Sequence, residues 1–542
     1  MRSINQESGR MRSRIGYALL PIGLMLISVA WLKSFPAGIE SRAGYLYDSI
    51  SPFYWIGLSI ANVALFLIAS SSKHRWERFV CAVIFFICTY SFTYFFTFPF
   101  GSDSNWFRGL TENYASSGVA VWNPYYRWPL LFILGTMTSR VLDVPIVSVC
   151  NFLFLTWNVA FVGGLFLYSS QGNPVRDFIS IIAYVIAVNP YMPWQFSAQS
   201  FALTLLVICL VFMQGKRLPS QVATLLVYAA LVLSHAFLPV FVFFTAAIAS
   251  IKHRAYLKLA IIFLLLYSFY VVIETPQMIS IALSEYAQLY FEYALQGRLT
   301  LAGPVSSIDA LGRTASLLTT FSMWALLGFA TYSCWIHRKF RAIDIPVHLS
   351  AAVYAVVGII GWRALQIFFI PTTHAIRTVI VSASTRKFLR AYFLLALAIF
   401  PLALLHRTYN VQSYMTYREQ HAADVIFIST FQADPNAQNS TMMVRDRMLQ
   451  WIKSQSNTQT IFIDEYSPPR LLEGTAWFKF IVMSPELEKD LVNIAGLSDS
   501  QLSQMEGNTV GFSRIYSNGH VTVLMNPNAT EAPAGPIYNG PL

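Results

Sequence analysis

Charged residues are scarce in this sequence: Asp, Glu, Lys and Arg together make up 12% of its 542 residues. Hydrophobic residues make up 55%, and the mean hydropathy is +0.51. A soluble domain has no interior large enough to bury so much apolar surface. The composition therefore excludes an ordinary soluble globular protein and predicts a chain that lies in a membrane.

Cysteine is also rare, and all five cysteines lie within apolar runs. They are Cys81, Cys88, Cys150, Cys209 and Cys334. The polar segments contain none, and no two are spaced as CxxC. This placement excludes a disulfide scaffold and a CxxC metal or redox site.

Basic residues are concentrated in seven short segments, which hold 19 Lys and Arg residues, whereas the alternate segments before residue 406 hold seven. The seven segments are the N-terminus to Arg14, Lys73 to Arg78, Arg176, Lys216/Arg217, Lys252 to Lys258, Arg338 to Arg341 and Arg386 to Arg390. Because positive residues stay on the cytoplasmic side of membranes, the N-terminus is predicted to be cytoplasmic. The segments predicted to lie outside contain Asp103, Asn189, Glu274 and Arg363. The net charge of +11 is then explained by loops that face anionic lipid headgroups, so no nucleic-acid partner is expected.

Apolar runs long enough to cross a membrane recur along residues 1–405. Eight are clear: Ile15–Leu32, Phe53–Ala69, Phe79–Phe98, Val144–Tyr168, Leu257–Ile273, Leu317–Ile336, Leu365–Val381 and Phe388–Leu405. Five are short, but the charge alternation requires a crossing at each: Phe178–Val188, Phe201–Met213, Val222–Leu233, Ala236–Ile251 and Val347–Ile360. We therefore expect a mainly α polytopic membrane protein with about 13 transmembrane helices, an uncleaved first span and an extracytoplasmic C-terminus.

The chain changes character after residue 405, where charges become frequent and apolar runs short. Thr441–Lys453 has helical spacing, Thr460–Asp464 and Trp477–Met483 are typical of strands, and Arg514–Val523 predicts a hairpin on an Asn-Gly turn. Residues 406–525 are therefore predicted to form a small extracytoplasmic α/β domain. The tail, residues 526–542, has a composition typical of disorder.

The external segment after Phe98 carries the strongest local signal. Asp103 ends a span, and Trp106, Leu110 and Tyr114 follow it at helical spacing, which predicts an amphipathic helix on the outer membrane surface. The stretch Tyr125-Tyr126-Arg127-Trp128-Pro129 comes next. Asp103 at this position could equally be the N-cap of the helix.

Three further segments follow in a characteristic order: Asn189–Ser200 with its two prolines, Leu233-Ser234-His235, and the closing Arg514–Gly519 hairpin. With the Gly101–Leu130 segment, this order resembles the GT-C class of membrane glycosyltransferases, especially its prokaryotic and archaeal members. That class takes a sugar from a polyprenyl-phosphate carrier on the outer face of the membrane. The resemblance covers most of the chain.

The resemblance implies a hexosyl- or pentosyltransferase in the plasma membrane. Its donor would be a polyprenyl-phosphate-linked sugar, with membrane lipid around it, and its acceptor a glycan, lipid or protein at the extracytoplasmic face. Many members carry an acid pair, but Ser104 and Asn105 follow Asp103 here. A divalent cation such as Mg²⁺ or Mn²⁺ is therefore compatible with the class, but this sequence does not require one, and no metal ligands are assigned.

Two carboxylates are the candidate catalytic groups, Asp103 as general base and Glu274 as a second acid. Arg363 is the candidate for the carrier phosphate, because a guanidinium fork matches phosphate oxygens. The remaining candidate substrate-binding residues are Tyr125, Tyr126, Arg127 and His235. Three of these residues also have a structural alternative: Glu274 as a solvated loop acid, Arg363 as an interfacial anchor, and His235 as a satisfied polar residue in a helix bundle.

A lipid-linked sugar flippase or a secondary transporter is the rival class. Transporters tend to place ionisable residues near the bilayer midplane and to contain paired repeats. In this chain the acids lie at the outer ends of spans, and no repeat between halves is evident. A non-catalytic membrane scaffold is a third alternative.

Overall fold

The protein is represented by a computed structural model, which describes residues 2–34, 50–72, 74–92, 102–117, 127–169, 174–188, 196–215, 217–274, 314–315, 317–356, 361–379, 383–410, 441–444, 459–462, 479–483, 499–517 and 522–528. The helices of the first part are α1 Arg2–Ser34, α2 Pro52–Ser71, α3 Arg75–Tyr90, α4 Ser102–Ser117, α5 Leu130–Leu142, α6 Ile146–Ser169, α7 Pro174–Val188, α8 Ala198–Met213, α9 Leu218–Val232, α10 Leu238–Lys252, α11 Ala255–Glu274, α12 Ser322–Ile336, α13 Asp344–Val356, α14 Gly361–Val379 and α15 Ala383–Asn410. A short π-helical turn, Leu317–Phe321, leads into α12.

Each of the thirteen predicted runs overlaps one of these helices. Among the described residues, five helical segments are long and apolar enough to cross a membrane: Met11–Lys33, Pro52–Ser71, Ile146–Ser169, Ala255–Ile273 and Leu317–Ile336. Other apolar helices are shorter, and one of them, α5, lies outside the thirteen runs. The chain is thus a mainly helical membrane protein by the length and composition of its helices, while the count of thirteen spans stays a prediction.

Glycine allows α1 and α2 to pack with their backbones in close approach. A Cβ placed on Gly23 would lie 2.7 Å from the backbone nitrogen of Ala61, and one placed on Gly57 would lie 2.8 Å from the carbonyl oxygen of Gly23. These distances are too short for any side chain. Small residues at such crossings let helices in a membrane gain close van der Waals contact.

Replacing Gly23 with alanine should therefore force α1 and α2 apart and lower stability by about 1 to 3 kcal/mol, the usual cost of overpacking. Gly328, in the middle of α12, is the matched control, since a Cβ there would meet nothing within 4 Å. Gly328→Ala should be neutral or stabilising by up to about 1 kcal/mol, because alanine is the better helix former. Thermal unfolding of both variants in detergent measures the difference. Equal melting temperatures would contradict the close packing.

Helix α7 lies at the centre of the bundle. Every side chain from Phe178 to Val188 is buried, and α7 packs against α2, α3, α6, α12 and α14. A helix that is apolar on all sides is expected to be enclosed by protein. Two hydrogen bonds fix its C-terminal half: Tyr184 Oη donates to the carbonyl of Gln366 at 2.8 Å, and Trp324 Nε1 donates to the carbonyl of Ala187 at 2.7 Å.

At the end of the bundle that the charge pattern assigns to the cytoplasm, Arg341 joins three segments. Its guanidinium donates to the Asp344 carboxylate at 2.9 Å, to the carbonyl of Tyr168 at 2.7 Å and to Gln214 Oε1 at 3.0 Å. The Tyr168 hydroxyl donates to the same carboxylate at 2.7 Å. Asp344 is fully buried. This network, called the Arg341 network below, ties the ends of α6 and α8 to the start of α13.

A five-stranded sheet forms from the C-terminal strands β1 Thr441–Val444, β2 Gln459–Phe462, β3 Phe480–Met483, β4 Ser513–Ser517 and β5 Thr522–Met525, in the order β2-β1-β3-β5-β4. Strand β1 is parallel to β2 and β3, and β5 is antiparallel to β3 and β4. Helix α16, Asp499–Thr509, precedes β4. Strands β4 and β5 pair as the predicted hairpin requires, while its Asn-Gly turn lies outside the described residues. The two predicted strands overlap β2 and β3.

The predicted helix Thr441–Lys453 is wrong at its first four residues, which form strand β1. The Met-Met-Val run supplies apolar side chains to a strand with a neighbour on each side, so pairing across the sheet overrides the local helical spacing. Residues 445–458 and 529–542 lie outside the described part of the chain. The extracytoplasmic location and the bounds 406–525 of this domain stay predictions.

Candidate active site

Helix α4 is the predicted amphipathic helix, and the structure confirms it as Ser102–Ser117. Asp103 lies in its first turn. The helix is held by an apolar face on which Phe107 and Leu110 are buried and Tyr114 is partly buried. Its polar face carries an ion pair in which Arg108 Nε donates to Glu112 Oε1 at 2.8 Å.

Helices α4 and α5 lie side by side and run in the same direction. Phe107 stacks near Phe132, with ring centroids 6.1 Å apart, and a Cβ on Gly135 would lie 2.8 Å from Thr111 Cγ2. Further along, Arg140 Nη2 donates to the carbonyl of Ala115 at 3.0 Å. All three contacts join residues about 25 positions apart, so the two helices are parallel. Their N-terminal ends, which include Asp103 and Arg127–Leu130, therefore lie next to each other.

The Arg127–Leu130 segment is held by two later helices. The Tyr270 hydroxyl of α11 donates to the carbonyl of Arg127, and the backbone nitrogen of Leu130 donates to the carbonyl of Leu233, just after α9, at 3.2 Å. Tyr267 Oη also donates to the carbonyl of Ala236 at 2.7 Å. Four segments distant in sequence thus meet at one end of the bundle: the start of α4, residues 127–130, residues 233–237 and the end of α11.

His235 belongs to this group, but its ring has a structural role. Its Nδ1 accepts from the backbone nitrogens of Phe237 at 3.0 Å and Leu238 at 3.4 Å. These N–H groups lie at the start of α10, where a helix leaves its donors without intrahelical partners. The ring therefore caps α10 through Nδ1, as the structural alternative for this residue expected.

Glu274 is the last residue of α11, one helical turn beyond Tyr270, so its backbone lies at the same end as Arg127. The side chains of Asp103, Glu274 and Arg363 lie outside the described part of the structure, as do Tyr125 and Tyr126 entirely. The catalytic and binding roles of these residues stay predictions.

The segment 196–200 connects the four segments that meet at this end of the bundle to the start of α14. Phe196 packs in the same apolar cluster as Phe107, and Ser197 caps α8 by accepting from the backbone nitrogen of Ser200 at 3.2 Å. Gln199 Nε2 donates to Gln366 Oε1 at 3.4 Å. Arg363 lies in the first turn of α14, one turn before Gln366. The N-terminal part of α14 is thus linked to the segment that contacts α4 and α5.

Four polar residues near these junctions were not singled out from the sequence: Ser104, Trp128, Gln199 and Gln366. Gln366 is buried within an apolar run, and an isolated buried amide in a membrane helix is a sequence signal that could have identified it. Ser104 and Trp128 directly follow the predicted site residues Asp103 and Arg127. Nothing in the sequence pattern distinguishes them from the other residues nearby. Among the described residues, no three His, Cys, Asp or Glu side chains are placed to hold a metal ion together.

No protein-family model matches the sequence, and no curated protein matches it. Several solved structures are similar. The oligosaccharyltransferase of Archaeoglobus fulgidus aligns over 83% of this chain and 73% of its own, with 12% identity and a TM-score of 0.46. ArnT from Cupriavidus metallidurans aligns in its apo state over 80% of this chain and 95% of its own, with 11% identity and a TM-score of 0.40.

The same ArnT bound to undecaprenyl phosphate aligns over 89% of this chain and 100% of its own, with 10% identity and a TM-score of 0.41. The oligosaccharyltransferase and ArnT are glycosyltransferases of the GT-C class.

Proposed function

We propose that this chain is a membrane glycosyltransferase that moves a hexosyl or pentosyl group from a polyprenyl-phosphate carrier to an acceptor at the extracytoplasmic face. The observation that carries the proposal is the meeting of four segments at one end of the bundle. The starts of α4 and α5, residues 233–237 and the end of α11 bring the backbones of Asp103, Arg127, His235 and Glu274 to that end. The alternation of basic loops predicts that all four lie on the outer side.

The reaction needs few groups. The acceptor oxygen attacks the anomeric carbon, the bond from that carbon to the phosphate oxygen breaks, and polyprenyl phosphate leaves. In this proposal, Asp103 takes the acceptor proton as general base, and Glu274 is the second acid at the same end. Arg363 stabilises the leaving phosphate, because a guanidinium binds phosphate oxygens in a bidentate manner. Tyr125, Tyr126, Arg127 and His235 complete the substrate site, with Nδ1 of His235 already occupied by α10.

The test is a transfer assay with the purified chain in detergent, using undecaprenyl phosphate that carries either glucose or arabinose. Release of sugar-free undecaprenyl phosphate is measured with and without added Mg²⁺ or Mn²⁺. We expect release from at least one donor when an acceptor extract is present. A folded protein that moves the lipid between vesicle leaflets without cleaving the sugar would instead support a flippase.

The proposal requires the site to face away from the cytoplasm, with thirteen spans, a cytoplasmic N-terminus and an exported C-terminal domain. We expect an introduced Ser456→Cys to react with an impermeant thiol reagent in intact cells. Arg254→Cys, exposed between α10 and α11 on the predicted cytoplasmic side, should react only after lysis. The five native cysteines are buried, so background labelling should be low. The opposite labelling pattern would reverse the orientation.

A further inference from the structure

Two buried polar groups beside the site have no hydrogen-bond partner among the described residues. They are the hydroxyl of Ser104, whose residue is fully buried, and the indole nitrogen of Trp128, whose residue is 6% exposed. A buried polar group without a partner typically costs about 1 to 3 kcal/mol. Native proteins contain few such groups, and each calls for a physical explanation.

The parallel packing of α4 and α5 places these two groups at the same level. The contacts Phe107 with Phe132, Thr111 with Gly135 and Ala115 with Arg140 keep a nearly constant offset over two helical turns. Extended by one turn toward the N-termini, the same offset sets Ser104 alongside Trp128. Trp128 lies two residues before α5 begins, so both residues belong to the N-terminal end of this helix pair.

The chemistry of this location favours a neutral, hydroxyl-rich ligand. An indole N–H can only donate, and a serine hydroxyl can donate and accept, so the pair can bind a hydroxyl group from both sides. Asp103 directly precedes Ser104 in the chain, and a carboxylate there would disfavour a phosphate at the same point. Arg127, which directly precedes Trp128, can join Arg363 at the phosphate that adjoins the sugar.

We propose that Ser104 and Trp128 bind hydroxyl groups of the sugar that is transferred, and that they select the donor by its sugar rather than by its lipid. This inference rests on the proposed function and adds a sugar subsite to it. Trp128 donates its indole N–H to a sugar oxygen, and Ser104 accepts from or donates to a neighbouring hydroxyl. The sugar thereby supplies the partners that both groups lack within the described protein.

The test compares Ser104→Ala and Trp128→Phe with the unchanged protein. Each variant removes one neutral hydrogen bond to the sugar, so the KM for undecaprenyl phosphate glucose or arabinose should rise roughly 3- to 10-fold. Binding of sugar-free undecaprenyl phosphate, measured by calorimetry, should not change. Stability should stay equal or increase in Ser104→Ala, because alanine removes a buried hydroxyl that has no partner within the described protein. Trp128→Phe also leaves a cavity, so its melting temperature should fall somewhat without affecting the comparison of the two lipids.

Two matched controls separate this role from packing. Thr136 of α5 also has a buried hydroxyl without a partner in the described part of the chain, but it lies about two helical turns from Trp128, so Thr136→Val should leave the donor KM unchanged. Trp157 Nε1 donates to Ser200 Oγ at 2.9 Å. Trp157→Phe should therefore lower the melting temperature without changing the KM.

Each outcome decides between the alternatives. Equal weakening of sugar-bearing and sugar-free lipids would show that the pair holds phosphate and would overturn the sugar subsite. An unchanged KM in both variants of an active protein would overturn it as well, while leaving the proposed function intact. A wild-type protein that binds undecaprenyl phosphate glucose through these residues but releases no product would refute the proposed function alone. A wild type that binds neither sugar-bearing lipid would overturn both proposals.

Discussion

Replacing Asp103 with asparagine should reduce the rate of sugar transfer by about 10²- to 10⁴-fold, the usual contribution of a general base. Asparagine keeps the volume of the side chain but cannot take a proton. Asp103 lies in the first turn of α4, where a negative charge also stabilises the helix by roughly 0.3 to 1 kcal/mol. The loss of stability should therefore be small beside the loss of rate. Turnover of a polyprenyl-phosphate sugar and a thermal melt measure the two separately.

The same helix supplies the control for this experiment. Glu112 is paired with Arg108 at 2.8 Å, so Glu112→Gln removes a carboxylate from α4 without touching its first turn. We expect this variant to transfer sugar within a few fold of the wild-type rate. Turnover by Asp103→Asn at a near-normal rate would eliminate Asp103 as the base and make Glu274 the next acid to replace. Equal losses in both variants would instead indicate that α4 needs its charges for folding.

Replacing Asp344 with asparagine should lower stability by about 3 kcal/mol, because removing one partner of a buried ion pair leaves the other charge uncompensated. Asp344 is fully buried and accepts from Arg341 and Tyr168, while the Arg341 side chain is 23% exposed. Because Arg341 is partly exposed, the expected loss of stability lies at the lower end of the range for broken buried ion pairs. Denaturant unfolding in detergent measures the change.

Two further variants test the geometry of the Arg341 network. Arg341→Lys keeps the charge but cannot reach Asp344, the Tyr168 carbonyl and Gln214 together, so it should lose a large part of the same stability. Arg254→Gln removes an exposed basic residue from another loop of the same predicted side and should change stability by no more than about 0.5 kcal/mol. Equal melting temperatures of Asp344→Asn, Arg341→Lys and Arg254→Gln would show that the network contributes little to stability.

Apolar run length and loop charge predicted the helices of the membrane part because both are local properties of the sequence. The bounds of α6 and α11, for example, lie within a few residues of the predicted runs. Strand β1 was missed because its four residues become a strand only through neighbours that lie far along the chain. Helix α5 was not among the predicted runs, although it is as long as Phe201–Met213, which was counted because the charge alternation required a crossing there.

The candidate site was predictable only in part. Asp103 and His235 were proposed because each lies at the end of an apolar run, and Arg127 because it lies in the Tyr125–Pro129 stretch that resembles the GT-C class. The structure brings the backbones of all three to one end of the bundle. The parallel packing of α4 and α5 could not be inferred from the sequence. It depends on a tertiary contact in which the Thr111 side chain packs against α5 where Gly135 has no side chain. Without that packing, Ser104 and Trp128 have no reason to be considered together. The Arg341 network was missed because Arg341 had already been explained as a loop charge.

The sequence separations within the bundle also set an order of assembly. Helices α1 and α2 are adjacent in the chain, so their glycine-lined contact can form soon after both have been synthesised. Tyr168 and Asp344 are 176 residues apart. At about 5 to 20 residues per second, the ribosome needs roughly 10 to 35 s to make the chain between them. During that interval the end of α6 exists without the carboxylate and guanidinium that later hold it, in the wild type and in every variant. Variants that weaken the Arg341 network should therefore differ from the wild type in their exposure to quality-control proteases only after residues 341–344 have been made.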